Sequence, residues 1–361
     1  MKYIDEFRNR DQIMKMVDLI NKSATATYNF MEVCGGHTAA IRRFGIPSLL
    51  PENIRLISGP GCPVCVTGTD FIDKAIACSG MEKVIITTYG DLIRVPGSVT
   101  SLEKEMAAGA DIRIVFSGLE ALEIARLNPR YKVIFLGIGF ETTAPGTAVT
   151  VLEADAVSVS NFFILSAHKV MPPAMEAIIQ GGSVINGFIC PGHVATITGS
   201  AVFDFIPEKY KIGCVVAGFE PADILMSILM LVRQANNDAQ SVEIQYSRAV
   251  NRNGNPTAVK FMKRVFEPGD AIWRGLGIIP MSGLILKKEY QKFDAELRIP
   301  VKIRHHEENE LCICGNILTG LLTPPDCPLF GEICSPDNPL GACMVSDEGA
   351  CNSWYKYRPD R

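Results

Sequence analysis

Charge of one sign is what this sequence lacks: 35 Lys and Arg stand against 39 Asp and Glu over 361 residues, a formal net charge of −4. With no basic stripe and no alternation of aromatic and basic residues, it carries no electrostatic footprint for nucleic acid or an anionic membrane surface. Long apolar runs are missing too. The longest, from Ile224 to Val232, is too short to span a bilayer, and the charged opening Met1-Lys2-Tyr3-Ile4-Asp5-Glu6-Phe7-Arg8 does not read as a secretory signal. A cytoplasmic protein is the expectation. Also absent are G-x-x-x-x-G-K-[ST], a complete G-x-G-x-x-G and H-E-x-x-H, which removes the conventional P-loop, the dinucleotide fingerprint and the zincin helix. There is no internal repeat and no low-complexity linker, and the length suits about two or three domains, each with its own core.

Cysteine is abundant and unevenly spread. Of the 12, four precede residue 100, two lie mid-chain, and six fall between Cys312 and Cys351. In a reducing compartment structural disulfides are disfavoured, so the tail reads as a metal or cluster module. Its sulfurs (Cys312, Cys314, Cys327, Cys334, Cys343 and Cys351) are separated by Gly and Pro, which suits successive loops each delivering one thiolate to an iron–sulfur cage. Zinc is the second choice. Only Cys312/Cys314 resembles a close ligand pair, and its spacing is one residue shorter than the usual minimum.

Short apolar runs at 54–57, 83–88, 112–116, 133–137, 162–166, 184–189 and 213–217 alternate with helical patterns at 71–78, 119–127, 173–180 and 221–235. Repeated βα units predict parallel sheets covered by helices, with ligands beyond the carboxyl ends of the strands. Residues 1–22 read as an amphipathic helix, 28–33 as a further strand, 257–265 as a helix, and 242–246 and 283–286 as strands. Glu267-Pro268-Gly269-Asp270 reads as a turn. Fold class alone does not supply a function.

The strand-end loops carry the chemistry. Ser58-Gly59-Pro60-Gly61-Cys62-Pro63-Val64-Cys65 pairs two thiols at C-x-x-C spacing, and a helix expected near Thr67 would favour their thiolate form. Cys34-Gly35-Gly36-His37 sets a thiol and an imidazole on a glycine loop, where both side chains can reach one metal ion. Glu141, in Gly139-Phe140-Glu141-Thr142-Thr143-Ala144-Pro145, is a carboxylate at an apolar strand end and needs a partner or a shifted pKa; Thr142 and Thr143 read as helix caps. His168 and His193 each read equally as ligand or turn residue. His305, His306, Glu307 and Glu308 read as a solvated surface run without a role.

Taken together, the Cys34–Thr38, Gly59–Cys65 and Gly139–Pro145 motifs, Pro191-Gly192-His193-Val194 and the ending Gly341-Ala342-Cys343-Met344-Val345-Ser346-Asp347-Glu348-Gly349-Ala350-Cys351 closely resemble the HypD family of [NiFe]-hydrogenase maturation factors. The resemblance runs from about residue 30 to the C-terminus. It implies an α/β protein with two parallel-sheet βαβ domains, at 31–140 and 141–235, and a Cys-rich α+β domain at 236–361 holding a [4Fe–4S] cluster. A helix at 1–30 would pack on that last domain. The implied role is a redox-active assembly scaffold that, with a HypC-type small chaperone, holds the iron on which two cyanides and one carbon monoxide are assembled. Cyanide would come from a HypE-type donor acting with HypF. By motif match, Cys34 and His37 would hold the iron, Cys62 and Cys65 would be the redox-active pair, and Glu141 and His193 would line the same region. Four of Cys314, Cys327, Cys334, Cys343 and Cys351 would bind the cluster; which is spare stays open, as does a part for Cys312. The alternative is a stand-alone, cluster-linked thiol–disulfide oxidoreductase.

Overall fold

Apolar runs of about five residues, flanked by turn formers, become the strands. In the computed structural model, which describes residues 5–303 and 311–358, these are Tyr28–Glu32 (β1), Ile54–Ser58 (β2), Val84–Thr88 (β3), Ile112–Ile114 (β4), Lys132–Gly139 (β5), Phe162–His168 (β6), Gly187–Pro191 (β7), Gly213–Ala217 (β8), Val242–Ile244 (β9), Phe266–Trp273 (β10) and Gly277–Leu286 (β11). The run at 305–308 lies outside the described residues.

Two parallel sheets result. One has the order β2-β1-β7-β8-β9 and the other β4-β3-β5-β6, while β10 and β11 pair antiparallel. Strands β3, β7 and β8 are buried along their whole length, as strands covered on both faces must be. The α/β expectation with parallel sheets therefore holds.

The expected sequential division at residue 140 does not describe sheet membership. β1 and β2 pair with β7, β8 and β9, whereas β3 to β6 form their own sheet. Phe30 and Met31 are fully buried, so β1 takes an inner place between β2 and β7. Strand order thus reverses between β1 and β7 in one sheet and between β3 and β5 in the other, and such reversals open a crevice beyond the strand ends.

The N-terminal helix also packs elsewhere than expected. It runs Arg10–Ser23, capped by Asn9, whose side chain accepts the Gln12 N–H at 3.1 Å. Val17 and Ile20 are buried in the cluster of Ile224, Leu225, Ile228 and Val232, on the helix Pro221–Asn236. That helix packs on β7 and β8 rather than on the Cys-rich tail. Among the described residues no helix is long and apolar enough to cross a membrane.

The segment read as a turn at 267–270 lies inside β10, with a register shift between Gly269 and Ala271. Pro268 and Gly269 are tolerated there because the hairpin is two-stranded and irregular at that point.

Candidate functional site

The first two thiol loops leave neighbouring strands and lie against each other. Beyond β1 and β2 the Gly59 N–H donates to the Glu32 carbonyl at 2.8 Å and the Gly35 N–H to the Gly61 carbonyl at 2.9 Å. A Cβ on Gly61 would lie 2.1 Å from the Cys34 nitrogen, so only glycine permits this approach. Cys34, in extended conformation, stands at the N-cap position of the helix Gly35–Arg43 without a side-chain capping bond. Its thiol is pushed up to about 12 by burial, with the Glu348 carboxylate adding to the effect, and so is neutral at physiological pH.

Cys62 and Cys65 are joined as a disulfide and both are buried. The helix expected near Thr67 begins at Thr69, with Gly68 at its cap. Thr67 instead forms a bridge to Trp273, so the chain is still extended where the helix was expected.

His37 is fully buried, and its Nε2 lies 3.0 Å from the Gly218 carbonyl and 3.3 Å from that of Ala217. Carbonyls only accept, so Nε2 carries the proton and Nδ1 keeps its lone pair. Nδ1 has no hydrogen-bond partner among the described residues. Burial lowers the ring to about 4, making it a neutral donor at physiological pH. Its face stacks on Phe219 at 4.5 Å, and the exposed His193 stacks on Phe219 at 3.9 Å. A phenyl ring thus stands between the two imidazoles.

A cleft of about 340 Å³ opens beside Cys34, walled by Pro63, Phe140, Thr142, His193 and Glu348. Loops from both sheets meet here, and Cys34 and His193 both line the cleft. Glu141 does not join them. Successive side chains leaving β5 point to opposite sides: Phe140 and Thr142 face the cleft, and Glu141 lines a separate groove of about 1010 Å³ with Pro172 and Lys260. Glu141 Oε1 accepts the Met171 N–H at 3.0 Å, and burial raises its carboxyl to about 7. Thr143 stands at a helix cap without capping, because its hydroxyl donates back to the Ile138 and Phe140 carbonyls. His168 is a core residue. Its nitrogens meet Ser166 at 3.1 Å and Thr147 at 3.2 Å, and burial lowers it to about 3.

All six tail cysteines (Cys312, Cys314, Cys327, Cys334, Cys343 and Cys351) line one cavity, with the Cys314 and Cys343 sulfurs 3.4 Å apart. Among the described residues no three His, Cys, Asp or Glu side chains meet as ligands for a single metal ion. Burial raises the Cys351 thiol, and neighbouring Cys314, Cys312, Cys334 and Cys327 raise it further. The Cys65 sulfur lies 3.9 Å from the carbonyl of Ala342, next to Cys343.

The HypD family model, described as the hydrogenase formation hypA family, matches residues 11–358. This chain belongs to the HypD family. It is 46% identical over 371 residues to hydrogenase maturation factor HypD of Azotobacter vinelandii, covering 100% of this chain and 98% of that protein. It is 45% identical to the factor of the same name from Cupriavidus necator, over 99% of this chain and 97% of the relative. The corresponding Escherichia coli factor is 42% identical, over 99% and 98%.

Three residues at the centre of this HypD-family site were not singled out from the sequence. Phe219 separates the two imidazoles. Glu32 is buried behind Cys34, accepting the Thr38 hydroxyl at 2.5 Å and the Cys34 N–H at 3.2 Å, and burial raises it to about 8. Glu348 lies over Gly35, where a Cβ would come within 2.5 Å of the Glu348 Cβ. Glu32 had a legible signal, an acid at the end of the apolar strand at 28–33. Phe219 and Glu348 had none, since their places depend on distant chain.

Proposed function

We propose that this chain serves hydrogenase maturation as a redox-active scaffold, in line with the maturation-factor names of its relatives. The observation that carries this reading is the reach of one tail segment. Between Gly341 and Cys351 it sets two cysteines in the tail cavity, lays the Ala342 carbonyl against Cys65, and brings Glu348 over Gly35 beside Cys34. Three sulfur sites distant in sequence are therefore neighbours in space.

The cargo is the iron that receives two cyanides and one carbon monoxide. Cys34 would hold it as thiolate, together with a thiolate from a HypC-type partner, while a HypE-type partner brings cyanide to the open cleft. Soft sulfur donors in a site shielded from water suit low-spin iron with such ligands. His37 Nδ1 is the one buried ring nitrogen of the loop with a free lone pair, and turning Phe219 aside would let it approach.

The tail donors fit a [4Fe–4S] cluster. Six cysteines surround a single cavity, and their mutual repulsion as thiolates calls for positive charge between them. Four of them suffice, and Cys312 joins the five expected from the motifs as a candidate. When bound, such a cluster stores and passes single electrons. The Cys62–Cys65 disulfide takes up two electrons and two protons to become two thiols, and its place between tail and cleft suits it to carry reducing equivalents toward the cargo. A stand-alone oxidoreductase is the poorer reading. Its disulfide has to meet a protein substrate, whereas Cys62 and Cys65 are 4% and 2% exposed.

Infrared spectroscopy of the protein purified anaerobically with its small partner tests the proposal. Cyanide and carbonyl stretches are expected, and Cys34→Ser is expected to abolish them while leaving tail iron and sulfide in place. An iron-loaded pair without those bands rejects the scaffold. A Cys62→Ala/Cys65→Ala variant that builds the full iron complex at the normal rate rejects the relay.

A further inference from the structure

The groove of about 1010 Å³ that Glu141 lines has no part in the scaffold reading, and no cysteine lines it. Val170, Pro172, Phe266 and Leu284 give it a largely apolar lining, and the helix Pro256–Val265 adds Val259 beside three cations. Those cations are Lys260, Lys263 and Arg264. All three are exposed and form no ion pair among the described residues, whereas Arg252, the fourth cation of the groove, is paired with Asp204. Glu141 is the one acid among the described residues that line it. In a chain of net charge −4 this is a local excess of positive charge, and apolar walls concentrate its field.

Glu141 supplies a second, independent observation. Its side chain is 3% exposed, Oε1 accepts the Met171 N–H at 3.0 Å, and Oε2 is buried with no hydrogen-bond partner among the described residues. A buried acceptor without a donor is costly, and an occupant that brings an N–H relieves the cost. The groove therefore calls for three chemistries at once: apolar groups for its lining, negative charge for the lysine and arginine wall, and a hydrogen-bond donor for Glu141. An acidic polypeptide segment with apolar side chains carries all three, the donor being its own backbone N–H.

We propose that this groove is a docking site for an acidic, apolar-rich segment of a partner polypeptide, with its acidic side chains against Lys260, Lys263 and Arg264 and its apolar ones against Phe266 and Leu284. The site is separate from the cleft at Cys34, because Glu141 leaves β5 on the side opposite Phe140 and Thr142. A partner held here is tethered to the scaffold without covering the cleft. Nucleic acid is the poorer occupant, since the chain has no basic stripe to follow a phosphate backbone.

The test is fluorescence anisotropy on the full chain, purified anaerobically. The probe is a labelled synthetic octapeptide alternating glutamate with leucine and phenylalanine, set against a counterpart with lysine in place of glutamate. The acidic peptide is expected to bind and the basic one not to. Lys260→Glu/Lys263→Glu is expected to weaken binding by about tenfold or more, while Lys15→Glu/Lys22→Glu, the same charge change on the N-terminal helix, leaves it unaltered. Absence of binding, equal binding of the two peptides, or unaltered binding by the groove variant overturns the proposal. Should that variant fail to fold, as judged by its melting curve, Lys260→Gln/Lys263→Gln decides by the same criterion. An oligonucleotide of equal charge that binds as tightly assigns the groove to nucleic acid, and self-association of wild type that the groove variant abolishes assigns it to a second copy of this chain; either result overturns the proposal.

Discussion

Around Cys34 the governing quantity is burial of ionisable groups. Glu32 and Glu141 are raised to about 8 and about 7 by burial, so both are protonated in the folded protein at mildly acidic pH. The unfolded chain has already lost those protons above about pH 4.5. Stability from a neutral Glu32 is thus fully present below its unfolded value and lost as pH rises through about 8. The expected result is that wild type minus Glu32→Gln, in unfolding free energy, falls steadily from about pH 4.5 to about pH 8; denaturant titrations across that range check it, and a flat difference would falsify the assignment. His37 and His168 have the opposite sign, because burial lowers them to about 4 and about 3. Their contribution is present above about pH 6.5 and is lost on acidification toward those values. His168→Gln is expected to lower stability by about 1–3 kcal/mol, through the Thr147 and Ser166 hydroxyls left without it. The iron cargo proposed for Cys34 is expected to be unaffected in that variant, since His168 lies in the core of the other sheet.

Glycine-mediated approach dominates among the elements. The loops after β1 and β2 are held in contact by Gly61, whose added Cβ meets the backbone of Cys34 rather than a movable side chain. Gly61→Ala is expected to part the two loops, lowering the melting temperature by several degrees and, if Cys34 holds the iron cargo as proposed, releasing it in the same preparation. The N-terminal helix offers a simpler case. Ile20 is fully buried against the helix Pro221–Asn236, and Ile20→Ala is expected to cost about 2–5 kcal/mol in chemical denaturation. Element positions were legible in the sequence wherever a period of two or 3.6 was strong. Strands covered on both faces, such as Tyr28–Glu32 and Gly213–Ala217, were legible instead as short apolar runs bounded by turn formers. β10 was not legible, because Pro268 and Gly269 carry the signature of a turn while the hairpin partner that makes them a strand follows later in the chain.

Over the whole molecule the decisive feature is that both sheets turn their strand ends toward one cleft and the tail closes over the thiol loops. Cys62 and Cys65 are covered by this assembly. A thiol reagent applied after mild reduction is therefore expected to label them slowly in the folded chain and rapidly in denaturant; equal rates sink the claim that the pair is enclosed. Enclosure fits a relay to a bound cargo better than exchange with a separate protein.

The chemistry of this protein was written in residue types and local spacing: thiol pairs, the imidazole on its glycine loop, the cysteine-rich ending and the alternation of strands and helices. Those properties are local, so the order of residues determines them. Which way a side chain faces across a gap between loops is set by packing of distant segments. Tertiary structure alone decided that β1 lies beside β7, that Glu141 turns from the cleft while Glu348 enters it, and that Phe219 parts the two imidazoles. Strand order and loop closure balance burial over the entire chain, and no short window of sequence contains that balance.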